Sequence, residues 1–153
     1  MARKTELSFF IPGKPMGKGR PRFGRGFAYT PKKTVDQEKL VKSLAQAEMA
    51  KHGLKPMTTS VAVHLIARWP IPESWPKWKK SLARDQDLFP GKPDLDNVCK
   101  LVLDAMNGTV YKDDDQVILL SIIKAYSEEP GTWVYVMWDT GEILDERSRP
   151  QLV

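Results

Sequence analysis

Residues 92–116, KPDLDNVCKLVLDAMNGTVYKDDDQ, hold six aspartates and three lysines in a chain of 153 residues whose net charge is +5. Carboxylates this dense repel one another, so they require solvation, lysine partners or a divalent cation. Asp94 and Asp96 are two apart, and side chains at i and i+2 of an extended segment project to the same side. Both carboxylates can therefore reach one ion. Pro93 fixes the backbone leading in, and the start of the following helix tolerates negative charge. A third carboxylate has to come from Asp113, Asp114 or Asp115, beyond the point where that helix has reversed the chain. Oxygen donors of this kind suit Mg²⁺ or Mn²⁺, with waters and phosphate oxygens completing the octahedron. Lys100 lies one turn after Asp96, placed either to pair with it or to face a scissile phosphate, and Asp104 lies a turn further on. Each group also has an ordinary reading: a helix cap for Asp94 or Asp96, a solvated turn for Asp113–Asp115, and a surface ion pair for Asp96 and Lys100. A calcium-binding EF-hand loop is a poor fit: Asp94 and Asp96 can take its first and third positions, but Val98 and Ala105 fall where oxygen ligands are required.

The remaining charge is unevenly spread. Residues 1–33 carry nine Lys/Arg against Glu6 alone, whereas residues 113–153 carry three basic residues against nine acidic ones. A basic arm at one end and an acidic cluster elsewhere fit a phosphate-binding surface beside a metal site. Lys14, Lys18, Arg20, Arg22 and Arg25 are the candidate DNA-backbone contacts, in a Gly- and Pro-rich segment, 12–28, expected to be a flexible loop. Phe23 and Phe27 within it are expected to pack in a hairpin rather than stack on bases. The single cysteine, Cys99, excludes an intrachain disulfide and a multi-cysteine zinc site. No apolar run reaches the length of a membrane span, and the early apolar run Phe9-Phe10-Ile11 is too short for a secretory signal. The expected location is the cytoplasm.

The elements that must position these groups follow from periodicity. Glu6–Ile11 predicts a strand ended by Pro12-Gly13, and residues 21–29 a short hairpin about Gly24-Arg25-Gly26. Thr34 with Gln37 predicts a capping-box start to a long helix over 34–52. Ser60–Trp69 alternates and is β-branched, a strand. Ser74 is the expected cap of a short helix through Arg84. Leu95–Met106 is a second long helix, closed by Asn107-Gly108. Strands over 117–126 and 132–138 end the domain, and the tail 141–153 is polar. The order gives one α+β domain over 1–153: a mixed β-sheet with two principal helices and one short one.

The run Lys92-Pro93-Asp94-Leu95-Asp96-Asn97, with Lys100, Asp104, Asn107-Gly108 and Tyr111-Lys112-Asp113-Asp114-Asp115-Gln116, resembles the signature of the RusA family, Holliday junction resolvases of bacteria and their phages. The likeness is dense across residues 92–116. It is looser over the basic Gly-Pro-Arg segment, the long helix, and Pro72-Glu73-Ser74-Trp75. The resemblance implies a Mg²⁺-dependent endodeoxyribonuclease, with Mn²⁺ able to substitute, that nicks four-way DNA junctions symmetrically as a homodimer. Two opposed nicks need two active sites, which a two-fold dimer of one chain supplies. By the same resemblance Asp94, Asp96 and Asp114 bind the metal and Lys100 is the catalytic lysine. A third acid, Asp115, at the usually variable position leaves open which of Asp113, Asp114 and Asp115 faces the ion. The competing readings are a non-catalytic DNA-binding module and a nuclease acting on flaps or forks.

Overall fold

Strict alternation makes Val61–Pro70 the central strand, because its odd-numbered side chains are buried and its even-numbered ones half-exposed as far as Trp69. The computed structural model describes residues 5–139; Arg3, Lys4 and the tail predicted over 141–153 lie outside them. In chain order the elements are β1 (Glu6–Pro12), β2 (Arg22–Gly24), β3 (Phe27–Tyr29), α1 (Lys32–Lys51), β4 (Val61–Pro70), α2 (Lys77–Arg84), α3 (Leu95–Met106), β5 (Val117–Ser127) and β6 (Gly131–Trp138), with a single 3₁₀ turn at Asp114–Gln116 before β5. Strands β1, β6, β4 and β5 form a mixed sheet in that order, and β2 and β3 form a separate hairpin. β4 pairs with β6 antiparallel and with β5 parallel. A parallel neighbour requires a crossover, which α2 and α3 supply. The last two strands, adjacent in sequence, are therefore separated in the sheet by β4.

One face of the sheet carries the core: Leu7, Phe9, Leu65 and Val134 pack with Val41 and Ala45 of α1 and with Leu101 and Met106 of α3. On the other face the register lines up Phe10, Trp133, Ile66 and Ile123 in one row and Ser8, Tyr135, His64 and Ser121 in the next. Phe10 and Trp133 touch at 5.1 Å between ring centroids, and His64 Nδ1 meets Ser121 Oγ at 2.8 Å. This face stays half-exposed to exposed, with Ile123 52% and Leu119 54% accessible.

Both expected helix starts are displaced by a proline. α1 begins at Lys32 behind Pro31, and α2 at Lys77 behind Pro76. A residue preceding proline is pushed out of the helical region, which excludes Thr30 and Trp75 and with them any helix starting at Ser74. Thr34 is not the cap of α1 but lies buried in its first turn, where its hydroxyl accepts from Gly19 N at 3.0 Å.

Candidate active site

α3 is the platform. Its buried stripe, Val98, Leu101, Val102, Ala105 and Met106, fixes the helix to the core and turns Asp96, Asn97 and Lys100 outward. Asp94 occupies the position before the first helical residue with extended backbone, yet its side chain makes no capping bond. The carboxylate instead meets Lys92 Nζ at 2.9 Å and is more than half exposed. Its hydrogen bond and charge from Lys92 hold the carboxyl below the usual range. Capping, the ordinary role for an aspartate here, is thus not what Asp94 does.

The turn that follows α3 is built tightly. Gly108 adopts φ +72°, open to glycine at no steric cost, and its N–H donates to Tyr111 O at 2.8 Å. Tyr111 is fully buried, its hydroxyl donating to Leu103 O at 2.7 Å. Asp113 caps the short turn, accepting from Asp114 N at 2.8 Å. Gln116 completes the box. Its Oε1 accepts from Lys112 N and Asp113 N at 2.9 and 3.0 Å, and its Nε2 donates to Met57 O and Thr59 O at 2.8 Å each. Asp113 is therefore engaged as a cap, Asp115 is exposed, and Asp114 is half-buried beside Asp104.

The acids fall into two groups along α3. Asp94 and Asp96 stand at its start, and Asp104 with Asp114 at its other end. Eight residues separate Asp96 from Asp104, a rise of about 12 Å. Lys100 lies between them, its Nζ 3.6 Å from Asp104 Oδ2. Among the described residues Asp94, Asp96 and Asp114 do not come close enough together to enclose one ion. Burial raises the Asp114 pKa, and the neighbouring carboxylates of Asp113 and Asp104 raise it further. Partial burial disfavours ionised Asp104 as well, but Lys18, by hydrogen bond and charge, and then Lys100 outweigh it and hold that carboxyl low.

The basic arm is less loose than its composition suggests. Lys18 N donates to Asn97 O at 2.9 Å, and Gly17 lies so close to Pro93 that an added Cβ would sit 2.8 Å from the ring. Lys18 Nζ is bonded to Asp104 and lies 3.1 Å from Glu38 Oε1, so it joins the arm to α3 and α1. Beyond this tie, Lys18, Arg20, Pro21, Thr30, Asn97 and Lys100 line a cleft of about 390 Å³. Arg20 and Lys100, far apart in sequence, thus share one wall. Lys14 lines a separate groove with Pro93 and Lys33. Arg22 and Arg25 belong to the hairpin, where Phe23 and Phe27 are exposed at 84% and 63% rather than packed.

Carboxylate donors fit a hard divalent cation. Among the described residues no three acidic, histidine or cysteine side chains are close enough to enclose one. Magnesium does not need such a cage, because it commonly takes one or two carboxylates and fills its other positions with water and substrate phosphate. Asp94, just before α3, and Asp96, in its first turn, are carboxylates of the kind that would serve.

Oxygen donors beside a cleft lined by arginine and lysine are the equipment of a phosphodiester hydrolase. The sequence matches the family Endodeoxyribonuclease RusA over residues 12–137, and the chain belongs to that family. It is an endodeoxyribonuclease, of a family generally dependent on a divalent metal. The chain is also similar to "Uncharacterized protein YqaN" of Bacillus subtilis (strain 168), 34% identical over 134 residues that cover 85% of this chain and 94% of the relative.

Proposed function

We propose that the protein resolves four-way (Holliday) DNA junctions by paired symmetric nicks, acting as a homodimer with Mg²⁺, for which Mn²⁺ substitutes. The observation that carries this reading is the placement of Asp94 immediately before α3 and Asp96 in its first turn, one turn ahead of Lys100, which lines a cleft shared with Arg20. A divalent cation, when bound, supplies the Lewis acid that polarises the phosphate and makes water nucleophilic near neutral pH. Asp94 and Asp96 hold it at the start of the helix. Lys100 neutralises the charge that develops on the phosphoryl oxygens, a contribution that is often the largest in such reactions. Arg20 holds a flanking phosphate, Lys14, Arg22 and Arg25 lay a positive field along the strand, and Lys18 ties the arm to α3 and α1. Water attacks in line, the bond to the 3′ oxygen breaks, and a 5′-phosphate and a 3′-hydroxyl remain. Asp114 is the third metal-binding acid of this reading.

The dimer is supported by the open sheet face. Phe10, Trp133, Ile66 and Ile123 make an apolar row across it, of the kind that marks an interface. Its charged residues lie at opposite corners, Glu6 at the start of β1 and Arg68 toward the end of β4. A two-fold axis in the plane of that face sets each over its opposite on the second copy.

The test is cleavage of labelled four-way junction, flap, fork and linear duplex in Mg²⁺, in Mn²⁺ and in EDTA. Paired symmetric nicks confined to the junction, abolished by Asp94→Asn with junction binding kept or strengthened, are expected. Cutting of flaps or forks in preference to junctions refutes the substrate, and binding without cutting in either metal refutes the catalytic assignment.

A further inference from the structure

The β2–β3 hairpin presents a feature that the cleavage site does not use. Its two strands pack on each other and make few contacts with any other element. Phe23 is 84% exposed, Phe27 63% and Tyr29 46%, three aromatic side chains within seven residues. The register pairs Phe23 with Ala28, Gly24 with Phe27 and Arg22 with Tyr29. Directly paired residues share a face, so Phe23 lies on one side of the ribbon and Phe27 and Tyr29 on the other. Isolated surface aromatics are ordinary. Aromatics on both faces of a ribbon only two strands wide are not, because such a hairpin is marginal without a partner to cover it.

Charge identifies the partner. No acidic residue occurs between Glu6 and Asp36, while Arg20, Arg22 and Arg25 run along the ribbon from base to tip. A second copy of the same hairpin is repelled, and a polyanion is attracted. Flat aromatic faces interleaved with arginine suit unpaired bases, which stack on such rings while the cations follow the backbone. The base of the ribbon is held firmly: Gly19 N bonds to Thr34 Oγ1, Lys18 N bonds to Asn97 O, and Pro31 starts α1. It is therefore anchored to the helices that carry the cleft. The tip at Arg25 lies five residues beyond Arg20, about 17 Å of extended chain.

Building on the junction-cleavage reading, we infer that the β2–β3 hairpin is a wedge that enters the branch point, stacking unpaired bases on Phe23 on one side and on Phe27 and Tyr29 on the other. A ribbon rooted beside Lys100 sets the distance from the branch point to the scissile phosphate. It thereby couples recognition of the branch to the position of the cut.

The experiment compares wild type, Phe23→Ala/Phe27→Ala and Phe23→Trp/Phe27→Trp. Affinity for a four-way junction and for linear duplex of the same arm sequence is measured by fluorescence anisotropy in EDTA, so that binding is scored without cleavage. 2-Aminopurine at each branch-flanking position reports unstacking. Aromatic–base stacking is worth about 5- to 150-fold in affinity per ring on removal. The double alanine variant is expected to lose at least tenfold on the junction and little on duplex, and to abolish the 2-aminopurine response. The tryptophan variant is expected to keep both. Both substitutions lie at exposed positions, and circular dichroism checks the fold. Equal losses on junction and duplex overturn the wedge, as does an unchanged junction affinity or a wild type without junction preference. A protein that shows the response but cuts no junction in Mg²⁺ or Mn²⁺ leaves the wedge standing and removes the junction-cleavage reading. One that cuts junctions normally without the response does the reverse.

Discussion

Gln116 offers the sharpest test of how the site is assembled. Its side chain makes four hydrogen bonds, two accepted from Lys112 and Asp113 N–H and two donated to Met57 and Thr59 carbonyls. Gln116→Ala removes all four. A net bond is worth about 0.5–1.5 kcal/mol, and the freed groups at this half-exposed turn recover some water. A loss of about 2 kcal/mol follows, or about 4–8 °C in Tm for a chain of this size. The same bonds fix the turn that presents Asp114, and a displacement of about 1 Å there is worth about 10²-fold in cleavage. Gln116→Glu separates the two donated bonds from the two accepted ones: it keeps the acceptor, loses the donor, and adds negative charge beside Asp113 and Asp114. Its second oxygen faces the Met57 and Thr59 carbonyls without a proton, so it is expected to lose at least as much stability. Urea denaturation and single-turnover junction cleavage measure the two effects, with Asp114→Asn setting the scale for loss of that carboxylate. Gln116→Ala that unfolds within about 0.5 kcal/mol of wild type and cuts at the same rate refutes the reasoning.

Three further outcomes are expected. Lys18→Met removes the cation shared by Asp104 and Glu38, costing about 1–2 kcal/mol at neutral pH. Asp104 is held below its unfolded pKa, so its share is full above roughly pH 4 and fades as pH falls through the lower folded value. Lys18 is held above 10.5, so its share fades as pH climbs through the raised folded value; denaturation curves across pH should therefore converge for the two proteins at acid and alkaline extremes. Cys99 is buried, and burial with the nearby Asp96 charge pushes its thiol up to about 11; iodoacetamide at pH 8 should modify it on the order of 10²-fold more slowly than an unfolded control, read by mass spectrometry. Ile123→Asp places a carboxylate in the open sheet face, and sedimentation should show a shift from dimer to monomer while circular dichroism is unchanged.

Much of the scaffold was legible because local pattern and tertiary burial agree. Val61–Trp69 alternates in sequence as it does in burial, and the apolar stripe of α3 is the stripe that packs. The helix starts were misplaced because proline outranks a good capping residue, and Thr34 was already committed to Gly19. What local reading missed depends on partners far along the chain. Gln116 reaches Met57 and Thr59, and Lys18 reaches Asp104, across 59, 57 and 86 positions respectively. Its side chain therefore acts as a tie within the protein, where composition alone suggested a free contact for DNA. Phe23 and Phe27 lacked any core to enter because the hairpin projects from the sheet rather than lying on it. The DDDQ run signalled its own division of labour only in part. A Gln three residues after Asp113 is a capping-box pattern, and it could have marked that acid as structural.

The strand that follows the acidic turn carries a consequence for handling the protein. Val117–Ile123, VILLSII, has no charge and no proline, belongs to an edge strand, and exposes Ile118 at 75%. A segment of that composition is a template for intermolecular strand pairing and fibril growth. Asp113, Asp114 and Asp115 on one side and Lys124 on the other flank it as gatekeepers, keeping it soluble through charge repulsion. Asp114, the acid of this run assigned to chemistry, thus also opposes aggregation. Neutralising one of them can lower the apparent activity of a preparation simply by removing protein from solution, so cleavage rates of such variants belong with a measured soluble, monodisperse concentration.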